Sequence, residues 1–351
     1  MPSLYVTEPG STVRLSGDSL VVTAEIDPDG KGPEPARREE LLEVEPHRVE
    51  LIALVGRCNI TADAMHLCLE RGIAVAWFSR NGRYLGRVTP QMARSADIRL
   101  RQYAIATDAE QRLARAREVV AAKLANASEV IEGLRSNLPG NRRMADAMQE
   151  LSQYRAQALG SATIEHLLGT EGIASRSYFG AFAEAFKGGI AFPGRTKRPP
   201  TDPANALLSF GYVLLCNLIA GALEARGLDP AIGFYHQLRP GRPSLALDLL
   251  EELRHPSVDR FVLRVCNLGI LKPEHFELDD SESLPGEQGV RLTRDGLKVF
   301  FREWEKHLAT PVRDKETGGA VSVAEILRRQ VDRLATSMRG NEPYVSFHFG
   351  D

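Results

Sequence analysis

Val75-Ala76-Trp77-Phe78-Ser79-Arg80-Asn81-Gly82-Arg83-Tyr84-Leu85-Gly86-Arg87-Val88 is followed shortly by Asp97-Ile98-Arg99-Leu100-Arg101-Gln102-Tyr103-Ala104-Ile105. The first stretch reads as two short strands around Asn-Gly, the strongest short signal for a two-residue hairpin turn. The second carries apolar residues at three-to-four spacing, the period of a helix face. The period therefore changes between residues 90 and 97, and the fold class follows from the two sides of that change.

Upstream, Leu4–Val6, Thr12–Leu15 and Leu20–Val22 read as strands, with turns at Pro9-Gly10 and Gly17-Asp18. Asp27–Arg38 holds three prolines and two glycines and reads as a mobile hairpin insertion. Strand character resumes at Leu41–Val44 and Val49–Val55. Thr61 then caps a short helix, Ala62–Glu70, which stops at Gly72. Downstream, segments 97–134, 143–168, 171–187, 203–227, 245–254, 294–309 and 321–339 carry helical spacing, which predicts six to eight helices. A basic, proline-rich loop at 194–200 and an acidic one at 279–288 interrupt them. The expectation is an α+β chain: a small β-sandwich-like domain over 1–95, then a larger all-α domain over 96–351.

With 44 Lys+Arg against 46 Asp+Glu, the chain has no global basic field, so any polyanion site must be a local patch. Cys58, Cys68, Cys216 and Cys266 are too dispersed for a metal knuckle and too few for a disulfide framework, which fits a reducing cytoplasm. The N-terminus lacks the order of a signal peptide. The apolar run Tyr212–Leu223 falls short of the ~20 residues that a bilayer span needs, so no membrane role is expected. No Walker A loop, dinucleotide fingerprint or GxSxG elbow is present.

What remains is a set of acids and one histidine. In Gly233-Phe234-Tyr235-His236 through Arg239, Gly241-Arg242-Pro243-Ser244 to Asp248, Glu251, Glu252 and Arg254, Ser244 reads as a helix N-cap. Asp248, Glu251 and Glu252 then stand at i, i+3 and i+4, where like charges repel unless a cation lies among them. Carboxylates with one imidazole and no thiolate suit Mg²⁺ or Mn²⁺ better than structural zinc. A second candidate is Glu171, in the first turn of a helix capped by Thr170 after Gly169. The residues alone leave open both a metal site and an ordinary charged helix face, with Arg254 paired to Glu251.

Taken in order, these stretches resemble the Cas1 family, the CRISPR-associated integrase of the spacer-acquisition module. The resemblance runs from Leu4-Tyr5-Val6-Thr7-Glu8-Pro9-Gly10 through Asn81-Gly82-Arg83-Tyr84 to Gly169-x-Glu171-Gly172-x-Ala174-x-Arg176-x-Tyr178-Phe179. It continues through Asn205…Tyr212 to His236…Gly241-Arg242-x-Ser244-Leu245-Ala246-x-Asp248-Leu249-x-Glu251. It implies a DNA endonuclease and integrase that joins 3′-hydroxyl ends of captured DNA to a CRISPR repeat. Glu171, His236 and Glu251 would be metal ligands, and Asp248 a further catalytic acid, either supporting the ligands or accepting the nucleophile's proton. Glu252 would face solvent.

DNA would follow a restricted basic track drawn from Arg176, Tyr212, Arg239, Arg242, Arg254 and loop 195–198. The resemblance further implies a homodimer formed by the β-domain and bridged by a small ferredoxin-like Cas2 partner. Pre-spacer and leader–repeat DNA would be substrates, and a Cas4 nuclease a possible associate. Rival readings are a metal-dependent hydrolase of a small phosphorylated substrate and a non-enzymatic DNA-binding scaffold.

Overall fold

The computed structural model describes residues 3–26, 37–80, 83–90, 96–196, 199–279, 288–313, 319–340 and 342–349. It divides into two compact units, 1–92 with 294–305, and 93–293 with 306–351. The first unit contains β1 (Ser3–Val6), β2 (Thr12–Ser16), β3 (Ser19–Ile26), β4 (Arg37–Val44), β5 (Leu51–Val55), β6 (Asn59–Ile60), α1 (Ala62–Arg71), β7 (Ala74–Phe78) and β8 (Tyr84–Val88). They form two four-stranded sheets, in the orders β1-β5-β7-β8 and β4-β3-β2-β6. Alternating residues from both sheets, among them Leu4, Val6, Val13, Leu20, Ile52, Leu54 and Val75, share one core with Ala64 and Cys68 of α1. Thr61 caps α1 and Gly72 ends it at φ +78°, a conformation that glycine adopts without a Cβ penalty. Most of the Asp27–Arg38 insertion, and the Asn81-Gly82 turn, lie outside the described residues; Arg37 and Arg38, expected in that insertion, instead begin β4 and pair with Ile26 and Glu25 of β3.

The second unit begins with α2 (Ala96–Thr107), α3 (Ala109–Arg135), α4 (Arg142–Leu159) and α5 (Ile164–Ala183). Then come α6 (Pro203–Ala225), α7 (Ser244–Leu253), a six-residue π-helical segment over 254–259, and α8 (Arg260–Asn267). The strands β9 (Phe276–Asp279) and β10 (Gly289–Leu292) pair antiparallel. They precede α9 (Arg294–Ala309), the small pair β11 (Pro311–Arg313) and β12 (Ala320–Ser322), and α10 (Val323–Met338).

This gives nine helices after residue 95 among the described residues, more than the expected six to eight. The expected 97–134 segment is two helices because Asp108 caps α3 through the Gln111 amide at 2.8 Å. The π-helical segment separates α7 from α8. The Arg294–Glu305 part of α9, expected among the helical residues, belongs to the first unit, where Phe301 stacks on Tyr5 at 4.2 Å. All four cysteines are buried and free.

The apolar stretch is also longer than expected. α6 runs 23 residues and passes the length and composition test for a membrane span, yet most of it is buried inside the helical unit. That burial is what the central helix of a bundle shows, because its apolar faces are covered on several sides.

Candidate active site

The acid–histidine stretches meet in the helical unit, on α3, α5, α7 and the turn before α7. The α5 reading changes first. Its N-cap is Thr163, whose hydroxyl accepts from the His166 amide at 3.2 Å, and the helix continues through Gly169 and Gly172. Thr170 is therefore no cap; its hydroxyl donates to the His166 carbonyl at 3.1 Å. Glu171 consequently sits mid-helix rather than in a frayed first turn. Ser244 is likewise the first residue of α7 and not its cap, and its hydroxyl donates to the Gln237 carbonyl at 3.1 Å.

Asp248 is almost fully buried and accepts four hydrogen bonds. Oδ2 takes the amides of Phe234 and Tyr235 at 2.6 and 3.0 Å, and Oδ1 takes the amide and Nδ1 of His236 at 2.9 and 2.8 Å. Those four donors fill the lone-pair sites of a carboxylate. Gly233 makes this cradle possible: a Cβ there would lie 2.7 Å from Asp248 Oδ2 and from the Ser244 carbonyl carbon. With Nδ1 engaged, the His236 ring turns Nε2 toward Glu251, 3.9 Å from its Oε1.

Glu251 is buried, and Arg254 Nη1 bonds both its oxygens at 3.1 and 3.0 Å. The Arg254 guanidinium also lies over the Tyr212 ring, 4.2 Å from its centroid. Tyr212 turns inward rather than outward to DNA: its hydroxyl donates to Asp259 Oδ1 at 2.5 Å, and Tyr178 donates to the other Asp259 oxygen at 3.0 Å. Arg195, from the basic loop, is held by Asn205 Oδ1 at 2.8 Å and Ser209 Oγ at 3.1 Å, while Lys197 and Arg198 lie outside the described residues. Of the remaining arginines, Arg176 and Arg239 are exposed and Arg242 is half-buried.

The residue that sequence reasoning missed is Lys123, on α3, whose side chain is 2% exposed. Its ammonium pairs with Glu171 Oε1 and, at 2.7 Å, with Glu251 Oε2. Ser175 also donates to Glu171 Oε1 at 2.8 Å. Burial opposes the charge on Glu171, but Lys123 and Ser175 hold its carboxyl below the ordinary value. Burial acts the same way on Glu251, where Arg254, Lys123 and His236 prevail and hold the carboxyl well below it. The Tyr235 phenol is pushed up by burial and by the charges of Glu171, Glu251 and Asp248, which marks it as a neighbour of all three acids.

Glu252 does not face solvent. It is fully buried and accepts from Tyr344 Oη at 2.7 Å, the Phe347 amide at 2.9 Å and Gln330 Nε2 at 3.2 Å. Asn126, one turn beyond Lys123, donates to the carbonyls of Glu252 and Phe347 at 2.7 and 2.9 Å and accepts from the Phe349 amide at 2.7 Å. Residues 344–349 thus form a strap across α3 and α7.

The donor set fits a hard divalent ion. Two carboxylates from different helices share one cationic partner, and an imidazole nitrogen with its tautomer fixed by a carboxylate is turned toward one of them. Among the described residues no three acid, histidine or cysteine side chains form a ready cage, and the Lys123 ammonium bridges the two carboxylates instead.

The architecture is shared with solved structures. A casposase bound to its integration product matches with TM-score 0.79 at 22% identity, covering all of this chain and 96% of that one. A CAS1 protein from Thermotoga maritima matches with TM-score 0.78 at 24% identity, covering 99% of this chain and 100% of that one. At these identities the likeness is one of fold. The sequence goes further: residues 4–306 match the family model for CRISPR-associated protein Cas1, and the chain belongs to that family.

It is 34% identical to a CRISPR-associated endonuclease Cas1 of Thermus thermophilus, over 97% of this chain and 95% of the relative. It is 33% identical to one of Rhodospirillum rubrum over the same shares. Two further relatives are Cas4 exonuclease/Cas1 endonuclease fusions, from Rhodospirillum rubrum and Geobacter sulfurreducens, each 33% identical. The chain spans 56% and 60% of their lengths.

Proposed function

We propose that the chain is a divalent-metal-dependent DNA integrase and endonuclease of CRISPR spacer acquisition. One observation carries this reading: Glu171 and Glu251 share the buried Lys123 ammonium, with His236 Nε2 turned toward Glu251. Glu171, Glu251 and His236 would hold Mg²⁺ or Mn²⁺, which supplies charge stabilisation at a phosphodiester under in-line attack by a 3′-hydroxyl. Asp248 is a positioning residue. Its oxygens are taken by four donors, so it sets the His236 tautomer and ring direction and is neither ligand nor proton acceptor. Arg254 clamps Glu251 from the Tyr212 side and so fixes the carboxylate's direction.

The exposed or half-exposed Arg176, Arg239 and Arg242 remain the candidates for DNA phosphates, whereas Tyr212 and Arg254 serve the site from within. A homodimer through the β unit, a Cas2-type bridging partner, and a free or fused Cas4-type nuclease complete the proposed cytoplasmic assembly. The Cas4–Cas1 fusion relatives support the Cas4-type partner, while the homodimer and the Cas2-type partner rest on the family resemblance. The test is integration of a labelled pre-spacer into a CRISPR plasmid, with Mn²⁺ or EDTA, with and without the small partner. Joined product that needs both metal and Glu251 supports the reading; metal-independent joining, or none on branched DNA in the disintegration direction, overturns it.

A further inference from the structure

We propose that Lys123 is a resident counter-ion that competes with the divalent ion for Glu171 and Glu251 and thereby sets its affinity. This rests on the metal reading of the site. The observation behind it is the pairing of one buried ammonium with carboxylates from two different helices, on the oxygens a hard cation would need. Lysine is rarely this buried without a partner that requires its charge. Here the requirement is plain, because without Lys123 the buried Glu251 and the half-buried Glu171 carboxylates would face each other across the site with Arg254 bonded to only one of them.

The two cations at Glu251 are not equivalent. Arg254 is a planar group seated on the Tyr212 ring, and that ring is itself anchored by Asp259, so Arg254 has little freedom to leave. Lys123 is a point charge on a four-carbon stem, able to withdraw its head while its stem stays packed. A divalent ion binding Glu171 and Glu251 exchanges two ammonium–carboxylate pairs for two metal–carboxylate contacts, and the ammonium loses both counter-charges. That exchange weakens apparent metal affinity. In return, the acids stay ionised and their helices stay in register while no metal is bound.

The measurement is Mn²⁺ binding by calorimetry, with melting curves in the presence and absence of Mn²⁺, on the full chain of wild type, Lys123→Met and Lys123→Gln. Lys123→Met keeps the buried stem without the charge; Lys123→Gln keeps a donor for both carboxylates. Both should melt lower than wild type without metal, bind Mn²⁺ at least about ten-fold more tightly, and gain more in Tm on its addition. Should Lys123→Met stay unfolded even with Mn²⁺, Lys123→Gln decides. Equal or weaker Mn²⁺ affinity in a folded variant overturns the competition while leaving the metal site standing. Absence of Mn²⁺ binding in wild type and variants alike overturns the metal reading and the proposal with it.

Discussion

Asp248 binds His236 twice through one oxygen, taking the backbone amide at 2.9 Å and ring Nδ1 at 2.8 Å. The same atom therefore fixes where the chain passes and which way the imidazole faces. Asp248→Asn retains one acceptor oxygen but turns an NH₂ toward backbone N–H groups, leaving two buried donors unpaired. The expected cost is about 2–4 kcal/mol, with strand transfer down at least ~100-fold because the ring loses its fixed tautomer. Denaturant titration and a disintegration assay check the two effects; a stable, active Asp248→Asn protein would contradict the positioning role.

Glu251→Gln and Glu252→Gln separate the site from its support. Removing the Glu251 charge leaves Arg254 without its carboxylate and Lys123 with one, so metal-free stability should fall by roughly 3–5 kcal/mol rather than rise through relieved repulsion. Integration should drop ~100-fold or more. Glu252→Gln offers one acceptor oxygen to three donors and should cost about 1–3 kcal/mol, read as a lower melting temperature. Wild-type melting in Glu252→Gln would show that Asn126 and Gln330 hold the strap without the carboxylate.

Gly233→Ala tests the cradle without touching a charge. The added methyl would stand 2.7 Å from Asp248 Oδ2 and from the Ser244 backbone, and neither can retreat far in a close-packed interior. A loss of about 1–3 kcal/mol is expected, with Mn²⁺ affinity falling as His236 shifts. Unchanged stability by chemical denaturation would show that the turn relaxes freely.

His307 gives a pH signature away from the acids. Burial, aided by Arg260 and Arg264, lowers its imidazole from the ordinary 6.5 to about 4, despite a backbone hydrogen bond at Ser257 that works the other way. The folded chain thus binds fewer protons than the unfolded chain between those values. His307 therefore contributes stability that is present above pH 6.5 and lost as pH falls toward 4, about 3 kcal/mol in all. Melting temperatures from pH 4.5 to 7.5 should fall less steeply on acidification in His307→Gln; equal slopes would remove His307 from the account.

That Glu171, His236 and Glu251 come together was expected from the family resemblance, since their local spacing alone left an ordinary charged helix face open. Lys123 was not: it is one lysine in a 27-residue helix, 48 residues from Glu171, and only tertiary packing brings it there. Glu252 was misread because a charged i+4 position implies a solvent face, whereas α7 is buried on nearly every side, so its periodicity carries no direction. The β-strands were read closely because hairpin turns and alternation are local signals. The α2–α3 break and the true start of α5 depended on caps at Asp108 and Thr163 that compete with several equally plausible ones nearby.

The strap also bears on the order in which the chain can mature. Glu252 finds Tyr344 and Phe347 92 and 95 residues later, and Asn126 finds Phe347 and Phe349 221 and 223 residues later. During synthesis, α3, α5 and α7 can pack as they emerge, with Asn126 and Lys123 bonding α3 to α7, but the further bonds from the strap must wait for residues 344–349. Until then Glu252 has only the Gln330 amide as a side-chain donor, and the pairing of Lys123 with its two acids rests on helix packing and the Asn126–Glu252 bond. The surroundings of the candidate site are thus completed only when the last described residues are in place, coupling its final geometry to completion of the helical unit.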